Sequence, residues 1–241
     1  MRKKMYTTRR VLVGTVIALT FITVSMNGTR SRVKSMRPTV QLPPLTLAPF
    51  TSVELRDGVK AALHYGATQY VTLLKGSPEI SRVTVAGAER LLIDKCRDKC
   101  PRGYELEVEI VTPAVVGISV SSGGTIESRG SFPRQAEISV AVDNGGTIDA
   151  RPIPADKITA AVSQGGRILV SPQTAMFATV DNGGMIIYWG DARVTSSTQH
   201  GGQVAKGAVA DADKPLSDFG AADSCSPKPP KTSRVRSVVM D

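Results

Sequence analysis

Aromatic side chains are scarce in this chain, with five Phe, five Tyr and one Trp in 241 residues. A platform for single-stranded nucleic acid stacks successive bases on ring faces, and so few rings cannot build one. Histidine is scarcer still, as His64 and His200 alone, and cysteine occurs three times. No second Cys or His pair lies near Cys96 and Cys100, so a tetrahedral zinc site fails on ligand count. Acid is missing from the first 40 residues, which carry nine Lys or Arg, while the remainder balances 21 basic against 21 acidic residues. The formal charge of +9 therefore sits at the N-terminus. A neutral body has no counterion-release drive toward phosphate backbones, which excludes nucleic acid as a partner.

The basic start has a simpler reading. Arg2, Lys3, Lys4, Arg9 and Arg10 precede a mostly apolar run from Val11 to Met26. That order is the n-region and h-region of an export signal. As a helix the run spans about 24 Å, short of a roughly 30 Å hydrocarbon core but workable as a signal or a marginal membrane anchor. Residues 1–27 are expected to be a signal peptide or anchor, and residues 28–48, basic and then rich in Pro, an extended linker. Thr8-Arg9-Arg10-Val11-Leu12 also fits a loose twin-arginine signal. Cys96 and Cys100, in Cys-Arg-Asp-Lys-Cys, can close a small disulfide loop in an oxidising compartment, in keeping with export. Cys225 stands apart in a polar tail.

From Phe50 the chain alternates in short runs: Ser52 to Leu55, Val59 to Tyr65, Tyr70 to Leu74 and Val83 to Ala86, with turns such as Asp57-Gly58 between them. These predict strands. Tyr104 to Thr112 sets Leu106, Val108 and Ile110 against Glu105, Glu107 and Glu109, a strand with one wet face. Five Gly-Gly pairs follow, at Gly123-Gly124, Gly145-Gly146, Gly165-Gly166, Gly183-Gly184 and Gly201-Gly202, spaced by 22, 20, 18 and 18 residues. Three residues before each pair stand Val120, Val142, Val162, Val180 and Thr198, and five before stand Ile118, Val140, Ala160, Ala178 and Ser196. Three after the first Gly come Ile126, Ile148, Ile168, Ile186 and Val204. Period two within a copy predicts strands, and a period near 20 between copies predicts stacked coils. The Gly pairs supply the positive φ that lets the chain turn a corner between them. After Lys206 the register is lost, and residues 207–241 are expected to form a disordered tail.

Pro49-Phe50-Thr51-Ser52-Val53, then Val83-Thr84-Val85-Ala86-Gly87-Ala88-Glu89-Arg90-Leu91-Leu92, then the serial Gly-rich turns resemble the head-GIN domain family of autotransporter-adhesin-like proteins. The resemblance covers about residues 48 to 206, with the domain placed at 49–206. It implies an exported envelope protein of all-β fold: a right-handed parallel β-helix with strands before it and the N-terminal hydrophobic helix ahead of those. Corners here read Ser-Gly-Gly, Asn-Gly-Gly, Gln-Gly-Gly or His-Gly-Gly, so the match is to the pattern. The family carries over no catalytic residues.

Chemistry is hard to find. Ser122, Asn144, Gln164, Asn182 and His200 precede the Gly pairs as a polar column, which reads as a ladder of side-chain hydrogen bonds at the corners or as a binding surface through Asn144, Gln164, Asn182 and His200. Asp143 and Asp181, two copies apart, would stand roughly 9–10 Å from each other, at the far limit for an inverting glycosidase. Tyr188-Trp189 suits cover for the core or a sugar-stacking pair. No Walker-type loop or nucleophile elbow is present. The reading is therefore a non-enzymatic envelope protein without a cofactor, adhesin-like or surface-binding, with a cell-surface, matrix or carbohydrate ligand. It leaves room for oligomers and for a membrane held through residues 11–26. An inner-membrane-anchored accessory or signalling protein and a carbohydrate-active β-helix enzyme are the two other classes considered.

Overall fold

The structure is a computed structural model that describes residues 43–45, 47–87 and 89–219. The expected signal or anchor at 1–27 and most of the linker lie outside the described residues. Among the described residues no helix is long and apolar enough to cross a membrane.

Among the described residues fourteen strands form one sheet. The first eight are β1 (Ser52–Arg56), β2 (Lys60–Tyr65), β3 (Tyr70–Lys75), β4 (Arg82–Ala86), β5 (Arg90–Asp94), β6 (Glu107–Thr112), β7 (Gly117–Ser121) and β8 (Thr125–Arg129). Then come β9 (Gln135–Asp143), β10 (Thr147–Ser163), β11 (Arg167–Asp181), β12 (Met185–Tyr188), β13 (Arg193–Thr198) and β14 (Gln203–Lys206). The longest path through hydrogen-bonded neighbours is β3-β6-β2-β8-β10-β9-β7-β1-β5-β4, with β11 to β14 continuing from β10.

All-β is what forms, but the right-handed parallel β-helix with separate strands before it is corrected, while the helix expected at its N-terminus lies outside the described residues. The described residues make a mixed sheet curled into a half-barrel. Two observations overturn the expectation. Antiparallel pairs, β3 with β6 and β4 with β5, belong to the same sheet as the parallel ones. The early strands β1 and β2 are also inside that sheet, since β1 lies between β5 and β7, and β2 between β6 and β8.

The curl has a local cause. Pro152-Ile153-Pro154, which reads as a loop, lies within the 17-residue strand β10, where the pairing with β11 shifts between Ala150 and Ala155 and again before Lys157. Proline lacks an amide donor and is tolerated in a sheet where a bulge has already broken the ladder. Ile153 and Ala155 stay fully buried through the bend, so the strand turns around the core without leaving it.

Register follows the repeat. Ile118 pairs with Val140, Val140 with Ala160, and Ala160 with Ala178. Ile148 pairs with both Ile126 and Ile168, and Ile168 with Ile186. These columns are buried, and each fully buried Ile or Val contributes about 1.5–3 kcal/mol relative to exposure. Val116, seven residues before the first Gly of its pair, is half exposed and Val115 is buried in its place, whereas Ile138, Ile158 and Met176 at the same position of the later copies are fully buried.

Candidate binding surfaces

Six tight corners join the two sides of the curl. In five of them the residue before the Gly pair is itself left-handed: Ser122, Asn144, Gln164, Asn182 and His200 have φ of 59°, 57°, 55°, 53° and 47°. The sixth is Asp57-Gly58, where Asp57 has φ 60° and the amide of Asp57 donates to Ser121 O at 3.2 Å. The two glycines of a pair do different work. A Cβ on Gly165 would meet nothing within 4 Å, whereas one on Gly166 would lie 2.5 Å from Val142 Cγ1 and 2.9 Å from Gly146 O. The first glycine answers only to backbone conformation, and the second also admits the neighbouring corner.

Successive corners bond through backbone. Asn144 N donates to Ser163 O at 3.1 Å, Gln164 N to Asp181 O at 3.1 Å, and Arg167 N to Gly146 O at 2.9 Å. The side chains before the Gly pairs are exposed in all five corners. Near the end of the row Asp181 accepts from Asn182 Nδ2 at 3.2 Å and faces His200 Nδ1 at 2.9 Å. Asp143 and Asp181 are separated by Ser163, which pairs with both. Cys96 and Cys100 are joined as a disulfide with Cα atoms 5.5 Å apart, in the loop between β5 and β6 where the neighbouring strands have a corner. Among the described residues no group of three or more potential metal-ligating side chains occurs.

A second surface carries residues that the sequence did not single out. Asp149 and Arg151 of β10 point outward yet are buried, with side chains 4% and 9% exposed. Arg151 Nε and Nη2 donate to the two carboxylate oxygens of Asp149 at 2.9 and 2.6 Å. Its Nη1 donates to Asp211 O at 3.1 Å and Ala212 O at 2.8 Å, and Nη2 also to Lys214 O at 2.8 Å. A guanidinium has five N–H groups, and here every one is used. Its carbon lies 5.3 Å from the Trp189 ring centre and 5.0 Å from that of Phe219, within cation–π range. Trp189 Nε1 donates to Ala208 O at 2.9 Å, and Arg167 Nη1 to Phe219 O at 2.6 Å. Burial pulls the Arg167 pKa below the ordinary arginine value, while on the covering segment Asp211 raises that of Lys214 by a hydrogen bond.

The covering segment is residues 207–219, which include two 3-10 turns, Val209–Asp211 and Leu216–Phe219. Beside Arg151 lies a groove of about 440 Å³. A second groove of about 670 Å³ is lined by Lys60, Thr125, Glu127, Arg129, Thr147 and Leu216. One sequence signal marks this face: Ile168-Leu169-Val170 breaks the alternation of β11, and Leu169, on the outward side, is fully buried.

A curled all-β sheet with serial left-handed corners and a covered outer face is the class these features define. Residues 77–192 match the family model described as "Putative auto-transporter adhesin, head GIN domain". No curated protein matches the chain. Among solved structures, a "putative adhesin" from Bacteroides fragilis is similar at 12% identity and a TM-score of 0.43, over 68% of this chain and 95% of that one. A "putative lipid binding protein" from Parabacteroides distasonis is similar at 11% and 0.33, over 69% and 96%. A "putative cell adhesion protein" from Clostridium sporogenes is similar at 12% and 0.32, over 68% and 99%.

Proposed function

We propose that the protein is an exported, non-enzymatic cell-envelope protein that acts as an adhesin-like binder of a surface ligand. The family description supports the adhesin-like part, and the basic-then-apolar order of residues 1–26 supports export. The observation that carries the binding is the exposed row Asn144, Gln164 and Asn182, three amides held by identical left-handed corners on adjacent copies. Neighbouring strands in a sheet stand about 4.8 Å apart, so such a row offers donors and acceptors at a regular spacing to a repeating, hydroxyl-bearing polymer. The ligand class this favours is a cell-surface or matrix carbohydrate.

The test is binding of the full chain to a panel of surface polysaccharides, compared with Asn144→Gly/Gln164→Gly/Asn182→Gly. Glycine removes the side chains and keeps the left-handed backbone available. At least a tenfold loss of binding with an unchanged thermal midpoint is expected. Equal binding by the triple variant would sink the reading. Fractionation of the native protein with sequencing of its N-terminus checks export separately.

A further inference from the structure

Residues 207–219 are held unlike any other described segment. The two 3-10 turns contribute no buried residue, and Val209 is 89% exposed. What fixes the segment is recognition of its main chain: three carbonyls taken by Arg151, one by Trp189 and one by Arg167. Its ends meet, because Ala208 and Phe219 both contact Trp189, the latter as an edge-on ring pair 6.0 Å between centres. That makes it a compact surface loop closed over a preformed receptor.

The receptor is preformed because Asp149 and Arg151 sit two residues apart on β10, and the carboxylate aims the guanidinium without help from the loop. Lifting the loop leaves four guanidinium hydrogen bonds unmade, three of Arg151 and one of Arg167, and bares Trp189. A surface with those needs fits a polypeptide: a turn that offers carbonyls, followed by an aromatic ring. Segments with few buried apolar contacts open at lower free energy than the sheets they rest on. Gly207 joins the loop to the edge strand β14, so the loop can leave without dismantling a central strand.

The geometry points to residues 207–219 as an exchangeable ligand of this face, with the same segment of a second copy as the occupant that replaces it. The exchange links two chains through an element each already carries, which is the economy of domain swapping. The groove of about 670 Å³ under Leu216 and Ser217 continues the same interface and gives an incoming segment room to enter before the resident one has left. This inference stands apart from the corner row and does not depend on it.

The experiment uses the full chain and a fluorescent peptide with the sequence of residues 207–219. In the native chain the tethered loop competes at an effective concentration of about a millimolar, so the receptor is a Phe219→Ala chain, which loses a ring of the resident loop and keeps Arg151. Hydrogen exchange is followed on the same sample, and Trp189, the sole tryptophan, reports on the face by its emission. Expected are fast exchange in 208–219 with slow exchange in β9 to β11, and saturable peptide binding at least tenfold tighter than to the native chain. Adding Arg151→Lys, which cannot form the five-bond fork, should weaken that binding at least tenfold. Light scattering of concentrated native chain should show a dimer that free peptide dissociates. Three results would each overturn the proposal: a loop as protected as the sheet in Phe219→Ala, no peptide binding to a chain whose loop exchanges freely, or a dimer insensitive to peptide. If the Arg151→Lys chain does not fold, the Phe219→Ala arms decide alone.

Discussion

The curl is finished in opposite ways where its first and its last strands lie. At one end β4 and β5 pair antiparallel, as do β3 and β6, and the connecting loop is pinned by the Cys96–Cys100 disulfide and by Tyr104, whose hydroxyl accepts from Ser77 N at 2.7 Å and bonds Ser81 Oγ at 2.7 Å. At the other end, among the described residues, β13 pairs only with β11, and β14 only with β12. The core changes to match. One paired column reads Leu91, Val53, Ile118, Val140, Ala160, Ala178 and Ser196 from the first end to the second, and its neighbour reads Ile93, Leu55, Val120, Val142, Val162, Val180 and Thr198. Side chains shrink and then turn polar as burial is lost, since Ser196 and Thr198 are exposed while Leu91 and Ile93 are fully buried. One strand geometry therefore tolerates a wide range of core volume, and stability is concentrated toward the end with antiparallel strands.

That contrast can be broken. Gly124→Val should have the largest effect. Its Cβ would lie 2.7 Å from Val59 O with φ at 103°, and left-handed strain with overpacking predicts a loss of about 3–5 kcal/mol by denaturant unfolding. Next is Leu91→Ala, a fully buried truncation expected to cost about 2–5 kcal/mol. Replacing Cys96 and Cys100 together by Ser should follow, at about 2 kcal/mol for so short a loop. Gly201→Ala meets open space and has only its φ of 85° to oppose it, so about 1–2 kcal/mol is expected. Val204→Ala, half-buried at the bare end, should be smallest at about 1 kcal/mol or less. Equal losses from Leu91→Ala and Val204→Ala in urea titrations would erase the difference between the ends.

Much of the core was legible before the structure. Period-two alternation and the Gly-pair register name Val142, Val162 and Ile168 as inward-facing, because burial on one face imposes that pattern directly. The left-handed Asn144 and Gln164 were less visible, since a Gly pair advertises two positive φ values and the corner uses three. The position of β1 was hidden for another reason. Its corner carries one glycine, and its partner Ile118 lies far along the chain from Val53, so nothing local encodes the pairing. The curl was masked by Pro152 and Pro154, whose usual meaning is a loop. Arg151 was invisible as a site because Asp-Ala-Arg looks like ordinary surface charge until a distant segment supplies three carbonyls.

The position of β1 bears on how the chain can fold. It pairs with Arg90–Asp94 on one side and Gly117–Ser121 on the other, so the first of the described strands must wait for residue 121 before both its edges are paired. Closing such long loops before any contact rewards them is slow, whereas β11 to β14 add onto chain already in place, each within one repeat of its neighbour. Formation is thus expected to be uneven in time, with a nucleus that waits for residue 121 and a second half that grows quickly once it exists.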